Sequence, residues 1–190
     1  MPKLWSETIE THRHEVREAI MESTWRLAVT NGPISVTMSQ VAQETGIGRA
    51  TLYKYFPDVK AILLARHEQH VFDHLSRLRE LRDHADDPAD RLESVIHAYA
   101  QICHHRARHG TVELSALTHQ PDGVGRAEEE LLALFGSVIT DAIAAGSVDP
   151  GPPADELALY CVHALGAAGS LPTQDAVHRL ADFVLRALHA

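Results

Sequence analysis

The chain is poor in cysteine and in aromatic side chains. It has two cysteines, Cys103 and Cys161, among 190 residues, and aromatic residues make up 5% of the sequence. Two isolated cysteines form neither a paired-cysteine zinc motif nor a dense disulfide framework, so nothing indicates a secreted scaffold. Few aromatics beside abundant Leu, Ala, Val and Ile favour helices packed through aliphatic stripes over a β-sandwich. We therefore expect an all-α fold.

Long hydrophobic runs are also missing. The longest, such as residues 157–162, are far too short to cross a bilayer. The first residues carry charges at Lys3, Glu7 and Glu10 with no apolar stretch between them. We expect no signal peptide, no membrane helix and a cytoplasmic location.

A surplus of basic residues, the plainest sign of nucleic-acid binding, is absent. The formal net charge is −9. Residues 1–56 carry six basic and six acidic side chains, whereas residues 57–190 carry 11 basic and 20 acidic ones. This asymmetry suggests different partners for the two ends. A hydrophobic content of 45% over this length is enough for one large or two small domains with a real core.

Apolar residues at helical spacing, separated by turn signals, predict about nine helices with no convincing strand and no internal repeat. The strongest breaks are Asn31-Gly32-Pro33, Gly46, Gly146 and the proline-rich run at 149–153. The predicted helices span residues 7–30, 38–45, 49–56, 89–108, 112–118, 125–145, 154–168 and 173–188, and a long helix capped by Asp58 runs through Leu81 and fades at residues 86–88.

Two short predicted helices form a helix-turn-helix candidate. Thr37 is a suitable N-cap for the first, and Gly46 stands where a left-handed residue would end it. The second ends before Pro57, because the residue before a proline is disfavoured in the α region.

The second short helix has an apolar and a polar face. Leu52 and Phe56, four residues apart, are expected to face the core, and Ala50 is small enough to approach the preceding helix closely. The outward residues would then suit the DNA major groove, with bases and phosphates both in reach. Alternatively, two of them, the tyrosines, are half-buried packing residues. The outward set is Arg49, Thr51, Tyr53, Lys54 and Tyr55.

The segment Val36-Thr37-Met38-Ser39-Gln40-Val41-Ala42, followed by Gly46-Ile47-Gly48-Arg49-Ala50-Thr51-Leu52-Tyr53-Lys54-Tyr55-Phe56-Pro57 and Lys60, closely resembles the TetR family of bacterial regulators. The resemblance covers roughly the first third of the chain. It implies a helix-turn-helix DNA-binding domain over residues 1–57 and a helical effector-binding and dimerisation domain over 58–190. Gly48 departs from the family, which often has Ser or Thr there, and Ser39 stands where several relatives place a basic base-reading residue.

The DNA-contacting residues predicted from the helix pattern and the resemblance are Thr37, Ser39, Gly48, Arg49, Thr51, Tyr53, Lys54, Tyr55 and Lys60. Arg49 and Lys54 are candidates for base or phosphate contacts. Thr37 would present the free amides of its helix to a phosphate. Lys60 matches the family's phosphate-contacting lysine.

Helix-turn-helix proteins usually bind as dimers whose recognition helices lie about 34 Å apart, or a multiple of that. As in the family, the last two predicted helices would form an isologous four-helix interface with a second copy. The alternative is that their apolar stripes only complete the core of one protomer. The predicted interface residues are Leu157, Cys161, Ala164, Val177, Leu180, Ala181, Val184 and Leu188.

The chain contains 14 histidines, and His67, His70 and His74 share one helical face with nearby leucines. They are structural residues between the domains, effector-pocket residues, or a divalent metal site completed by Asp73 or a histidine from another helix. The run Cys103-His104-His105-Arg106 also looks metal-like, but it lies at a predicted helix C-terminus, where cationic side chains are favoured, and this is the preferred interpretation.

An effector pocket in the second domain would be mainly apolar with a few polar groups. The acidic charge there favours a neutral or cationic effector, and no cofactor is expected. The predicted lining residues are His67, His70, Val71, His74, Tyr99, Cys103, Leu117 and Phe135.

These observations together predict a homodimeric transcriptional regulator that represses from a palindromic operator and is released by a small molecule. One alternative is a metal-responsive regulator that uses the three histidines. Another is an interaction module that no longer binds DNA, which salt-dependent operator binding would distinguish. A metal enzyme built on the histidines with Glu68 or Asp73 lacks a recognisable catalytic constellation, so we expect no enzyme.

Overall fold

The computed structural model describes residues Lys3–Arg108 and Pro121–His189. Within these residues the fold is all-α, with eight α-helices, two short 3₁₀-helices and no strand. The predicted helix at 112–118, with Leu117, lies outside the described residues. The α-helices are α1 (Lys3–Asn31), α2 (Met38–Thr45), α3 (Arg49–Tyr55), α4 (Val59–His84), α5 (Pro88–Arg108), α6 (Pro121–Ala144), α7 (Ala154–Gly166) and α8 (Gln174–Ala187).

Glycine ends helices where the sequence predicts it. Gly46 has φ 70° and Gly146 has φ 76°, both in the left-handed region that other residues avoid. The prediction of one helix over 154–168 was too long, because α7 ends at Gly166 and a 3₁₀-helix follows over Ala167–Ser170. The first helix begins earlier than predicted, at Lys3.

The described residues divide into two compact units, one up to His70 and one from Val71 onward, and α4 contributes residues to both. In the first unit, α1 packs against α2 and α2 against α3. Its core is aliphatic apart from one tryptophan, one phenylalanine and two methionines. The buried residues are Ile20, Met21, Trp25, Ala28, Val36, Met38, Val41, Ala42, Leu52, Phe56, Ile62 and Leu63.

Polar contacts also hold the start of α4 to α1 within the first unit. Arg66 Nη2 donates to Glu22 Oε2 at 2.6 Å, and Gln69 Nε2 donates to Glu18 Oε2 at 2.9 Å. The Trp25 and His70 rings meet edge to face with centroids 5.1 Å apart. These contacts fix the first turns of α4 beside the helix-turn-helix.

The second unit is built around α5, which packs against α6, α7, α8 and the second 3₁₀-helix. His104 of α5 is fully buried, and its Nδ1 lies 3.1 Å from the carbonyl oxygen of Ala168. A Cβ on Gly169 would lie 3.1 Å from Cβ of Ala107, so only glycine allows this close approach without displacement. Across the described residues, no helix is both long and apolar enough to cross a membrane.

Candidate nucleic-acid interface

Thr37 closes the N-terminus of α2 with reciprocal hydrogen bonds. The amide of Gln40 donates to Thr37 Oγ1 at 3.3 Å, and the amide of Thr37 donates to Gln40 Oε1 at 2.8 Å. Both bonds satisfy amides that have no partner inside the helix. The predicted N-cap is therefore confirmed, and the start of α2 is held in one conformation at the protein surface.

The turn between α2 and α3 relies on two glycines with different roles. Gly46 adopts the left-handed conformation that ends α2, and its amide donates to the carbonyl oxygen of Gln43. Gly48 is extended, with φ −67° and ψ 143°, and begins α3 without a side-chain cap. Its carbonyl oxygen accepts the amides of Thr51 and Leu52 at 2.9 and 3.0 Å. The turn thus sets the direction of α3 through backbone geometry.

Two apolar side chains anchor α3 in the first unit. Leu52 is 0% exposed and Phe56 is 3% exposed, so the predicted core face is confirmed. The prediction that Ala50 approaches the preceding helix is wrong, because Ala50 is exposed on the outer face. Tyr55 is half-buried against the core, whereas Tyr53 is 48% exposed. The packing interpretation therefore applies to Tyr55 and not to Tyr53.

The remaining predicted DNA-contacting residues are all at the surface. Thr37, Ser39 and Gly48 are exposed at the starts of α2 and α3, and Lys60 is exposed in the first turn of α4. On α3 itself the exposed members are Arg49, Thr51 and Lys54. The structure thus brings a set of hydroxyl, guanidinium and ammonium groups to the outer side of one compact unit.

The net charge of the first unit is near zero, but its basic and acidic residues are unevenly distributed. Residues 45–57 contain Arg49 and Lys54 and no acidic residue. Nearby acids have other partners: Glu44 pairs with Arg26 at 3.3 Å, and Asp58 Oδ1 accepts the amide of Ala61 at 2.8 Å. Positive charge therefore remains on α3, where phosphates would bind.

The three histidines of α4 are half-buried, as their shared apolar face predicts. His67 and His70 belong to the first unit, where His70 contacts Trp25, and His74 belongs to the second. The part of the chain that the structure describes contains no cluster of three or more His, Cys, Asp or Glu side chains arranged for a metal ion. The metal-responsive alternative therefore has no structural support.

Three predicted effector residues lie together in the second unit. Tyr99 and Phe135 meet edge to face with centroids 5.4 Å apart, and Cys103 belongs to the same buried core. Burial raises the pKa of both the Tyr99 hydroxyl and the Cys103 thiol, so both groups are neutral at pH 7. Val71 is half-buried on α4. The three side chains form a neutral, mainly apolar part of the buried core of the second unit, with two weak polar groups.

A cavity of about 350 Å³ opens elsewhere in the second unit, between the ends of α5 and α8. None of the predicted effector residues lines it, because sequence periodicity does not reveal gaps between helix ends. Its lining residues are Ala89, Leu92, Glu93, Ser147, Asp182, Leu185, Arg186 and His189.

Five of the predicted dimer-interface residues belong instead to the core of one protomer. Each is at most 4% exposed in the single chain and packs within the second unit, so the assignment of these side chains to a partner surface was wrong. Leu157, Ala164 and Leu180 are only partly buried. The five buried residues are Cys161, Val177, Ala181, Val184 and Leu188.

The same two helices expose other large apolar side chains that the sequence analysis did not select. Leu159 and Tyr160 of α7 are 47% and 44% exposed, and Phe183 of α8 is 60% exposed. Their spacing from the buried residues of the same helices is the signal that was available. They lie on the opposite side of each helix from its core stripe.

Comparison with known proteins gives a consistent result. Residues 20–65 match the model of bacterial regulatory proteins of the tetR family. A curated relative, the HTH-type transcriptional regulator BetI of Agrobacterium fabrum, is 28% identical over 108 residues, which cover 53% of this chain and 46% of that protein. The match therefore spans less than half of the relative's length.

Two solved structures have the same fold over most of their length. A TetR/AcrR-family regulator from Thermobifida fusca has a TM-score of 0.78 at 14% identity, covering 89% of this chain and 96% of its own. A transcriptional regulator from Saccharomonospora viridis, in complex with choline, has a TM-score of 0.74 at 22% identity, covering 90% and 96%. At these identities the similarity establishes the shared architecture.

Proposed function

We propose that this chain, a member of the TetR family of DNA-binding transcriptional regulators, is a homodimeric repressor. A small molecule would release it from a palindromic operator. The observation that supports DNA binding is the division of α3 into a buried apolar side and an exposed basic side. Leu52 and Phe56 hold this helix in the core, and Arg49 and Lys54 stand outside with no acid between residues 45 and 57.

Each group on this surface has a defined task. Arg49 and Lys54 bind base edges or phosphates, while Thr51 and Tyr53 donate hydroxyl hydrogen bonds to phosphates. Thr37 holds the start of α2, whose free amides face a phosphate. A phosphate also binds Lys60 in the first turn of α4. Tyr55 has a smaller role because its ring is partly used in the core.

The test is selection of bound sequences from random duplex DNA, followed by measurement of affinity against salt. We expect a palindromic sequence and a linear fall of log affinity with log salt. In a dimer, Arg49→Gln should lower the slope by about 1.8, since each lost phosphate contact accounts for about 0.9. Arg126→Gln removes the same charge from α6 and should leave the slope unchanged. Absence of any enriched sequence at low salt, with protein refolded to remove ligand, would refute the proposal.

The dimer surface that we propose is formed by Leu159, Tyr160 and Phe183. These side chains stand on α7 and α8, the two helices in which the family resemblance implies dimerisation, and the protomer leaves them open to solvent. A second copy related by a twofold axis covers them with the same surface. Leu157, Ala164 and Leu180 of the same helices are partly buried in the protomer.

Phe183→Glu tests this assignment. The twofold axis would bury two unpaired carboxylates in an apolar interface, one from each protomer. We therefore expect monomers in sedimentation experiments at micromolar concentration. Phe72→Glu is the matched control, since Phe72 is 63% exposed on α4, which is not one of the two helices of the proposed surface. Dimers that survive in Phe183→Glu would rule the surface out.

The effector site that we propose includes Tyr99, Cys103 and Phe135. Tyr99 and Phe135 are in ring contact, Cys103 belongs to the same buried core, and all three side chains are neutral, which suits an organic molecule with a large apolar part. The acidic excess of residues 57–190 favours a neutral or cationic ligand, and the S. viridis regulator of the same fold binds choline, a cation. Binding would shift the dimer toward an arrangement with lower operator affinity.

Release from the selected operator provides the effector assay. Neutral and cationic metabolites should include a compound that lowers operator affinity, and Tyr99→Phe should weaken that response by about fivefold to tenfold, the equivalent of one hydrogen bond. Operator affinity without effector should stay the same. An effector response that Tyr99→Phe and Phe135→Leu both leave unchanged would exclude this site.

A further inference from the structure

Arg17 has a contact that the helix-turn-helix pattern does not predict. This residue lies on α1, and its side chain is exposed. The guanidinium carbon is 4.4 Å from the ring centroid of Phe56, the C-cap residue of α3. Phe56 is 3% exposed, so its ring is fixed in the core of the first unit. The ring therefore holds a cation at the C-terminal end of the recognition helix.

Two other arginines of the first unit, one on α1 and one on α4, are neutralised by ion pairs. Arg26 pairs with Glu44 at 3.3 Å, and Arg66 pairs with Glu22 at 2.6 Å. Among the described residues, Arg17 takes part in no ion pair. Its positive charge is thus available to a ligand, unlike the charges of Arg26 and Arg66.

A guanidinium held over an aromatic ring suits an oxyanion. A guanidinium on an aromatic face uses its π surface for the stacking contact, while its N–H groups point outward in its own plane. This planar arrangement of donors matches the oxygens of a phosphate group, and holding it in place reduces the entropy lost on binding. A lysine in the same position would lack both the stacking and the fixed arrangement of donors.

Two lysines that lie close to Phe56 along the chain favour an anionic ligand. Lys54 lies in the last turn of α3, two residues before Phe56, and Lys60 lies four residues after it in the first turn of α4. Both lysines are exposed. Arg17, from a distant part of the sequence, thus places a guanidinium beside Phe56, and these two exposed lysines lie close to Phe56 along the chain.

We propose that Arg17 binds a backbone phosphate of the operator, next to the C-terminal end of α3. The proposal rests on the DNA-binding function proposed above and extends the interface to α1. Phe56 acts as a positioning residue, because its ring orients the guanidinium without touching DNA. Such a contact reads no base and contributes equally to operator and unrelated duplex DNA.

The test compares Arg17→Gln, Arg17→Lys and the control Arg126→Gln in binding titrations from 50 to 300 mM salt, with the selected operator and with a random duplex. For Arg17→Gln we expect a salt slope smaller by about 1.8 per dimer and affinity lower by roughly tenfold per half-site at 0.1 M salt, on both DNAs. Arg17→Lys should keep the slope but bind more weakly than the wild type. Arg126→Gln should match the wild type, since Arg126 is 82% exposed on α6 and pairs with Glu130.

The readouts separate the possible failures. If the wild type binds with a salt slope that Arg17→Gln leaves unchanged, Arg17 only packs on Phe56 and the inference is refuted while DNA binding stands. If the wild type itself binds no DNA, the proposed function fails first. Unfolding followed by tryptophan fluorescence shows whether Arg17→Gln is folded. If it is not, Arg17→Lys carries the test, and an affinity equal to that of the wild type on both DNAs would refute the inference.

Discussion

Replacing Thr37 with alanine should destabilise the first unit by about 1 kcal/mol. The change removes the oxygen that accepts the amide of Gln40 at 3.3 Å, and it removes the hydroxyl that donates to Gln40 Oε1 at 2.8 Å. It leaves the amide of Thr37 bonded to the Gln40 side chain. Because the lost bonds are exposed, water replaces part of them, and the cost should fall in the middle of the range of about 0.5–2 kcal/mol for lost N-caps.

Urea unfolding followed by tryptophan fluorescence measures this change. Trp25 lies in the core of the first unit, so its emission reports on the relevant part of the chain. With a slope of about 1–2 kcal/mol per molar urea, the midpoint of Thr37→Ala should fall by about 0.5–1 M. Thr37→Ser keeps the accepting oxygen and should stay within a few tenths of a kcal/mol of the wild type.

Thr30→Ala provides the matched control. Thr30 lies in the same unit and is also exposed, but its hydroxyl donates to the carbonyl oxygen of Arg26 at 2.9 Å inside α1. Such a bond within a helix contributes little, so this variant should unfold at the wild-type midpoint or slightly above it. Equal midpoints for Thr37→Ala and Thr30→Ala would show that the cap does not stabilise α2.

Two further predictions concern backbone conformation and burial. Gly46→Ala should cost about 1–2 kcal/mol because φ is 70° there, whereas Gly48→Ser, at an extended position with open space around it, should stabilise α3 by a few tenths of a kcal/mol; urea midpoints measure both. Burial raises the pKa of Cys161 to about 12 and also raises the pKa of Cys103, so both thiols should react slowly with a disulfide reagent at pH 8 until the chain is unfolded. Since unfolded thiols ionise near pH 8.5, the stability that buried Cys161 contributes is present below that pH and is lost as the pH rises through about 12. Fast thiol reaction in the folded protein, or a midpoint for Gly46→Ala equal to the wild type's, would contradict the respective prediction.

The local features of the helix-turn-helix could be predicted because each depends on residues a few positions apart. Thr37 caps α2 through Gln40, three residues away, and Gly46 ends α2 by its own backbone freedom. Leu52 and Phe56 define the buried side of α3 by a spacing of four. Such interactions are written into consecutive residues and do not depend on the rest of the chain.

The helices that the structure describes in the second unit could be predicted in approximate extent, but not in what covers their apolar faces. Val177, Ala181 and Val184 form a regular stripe that suits either a partner or the protomer's own core. In the folded chain this stripe is part of the protomer's own core, because α5 packs against α8. A hydrophobic stripe specifies that something must cover it and leaves open which surface does so.

The sequence alone determined the all-α fold, the capped helix-turn-helix and the outward face of α3, since short-range hydrogen bonds and helical periodicity govern them. Only the tertiary structure decided which charges stay available. The formal charges of the first 56 residues sum to zero. In the folded chain, however, Glu44 and Glu22 form ion pairs with Arg26 and Arg66, while the Arg17 guanidinium lies over the ring of Phe56. These partners lie 18 to 44 residues apart, and pairings at that distance exist only once the helices have packed, because electrostatic interactions depend on distance in space and not on order along the chain.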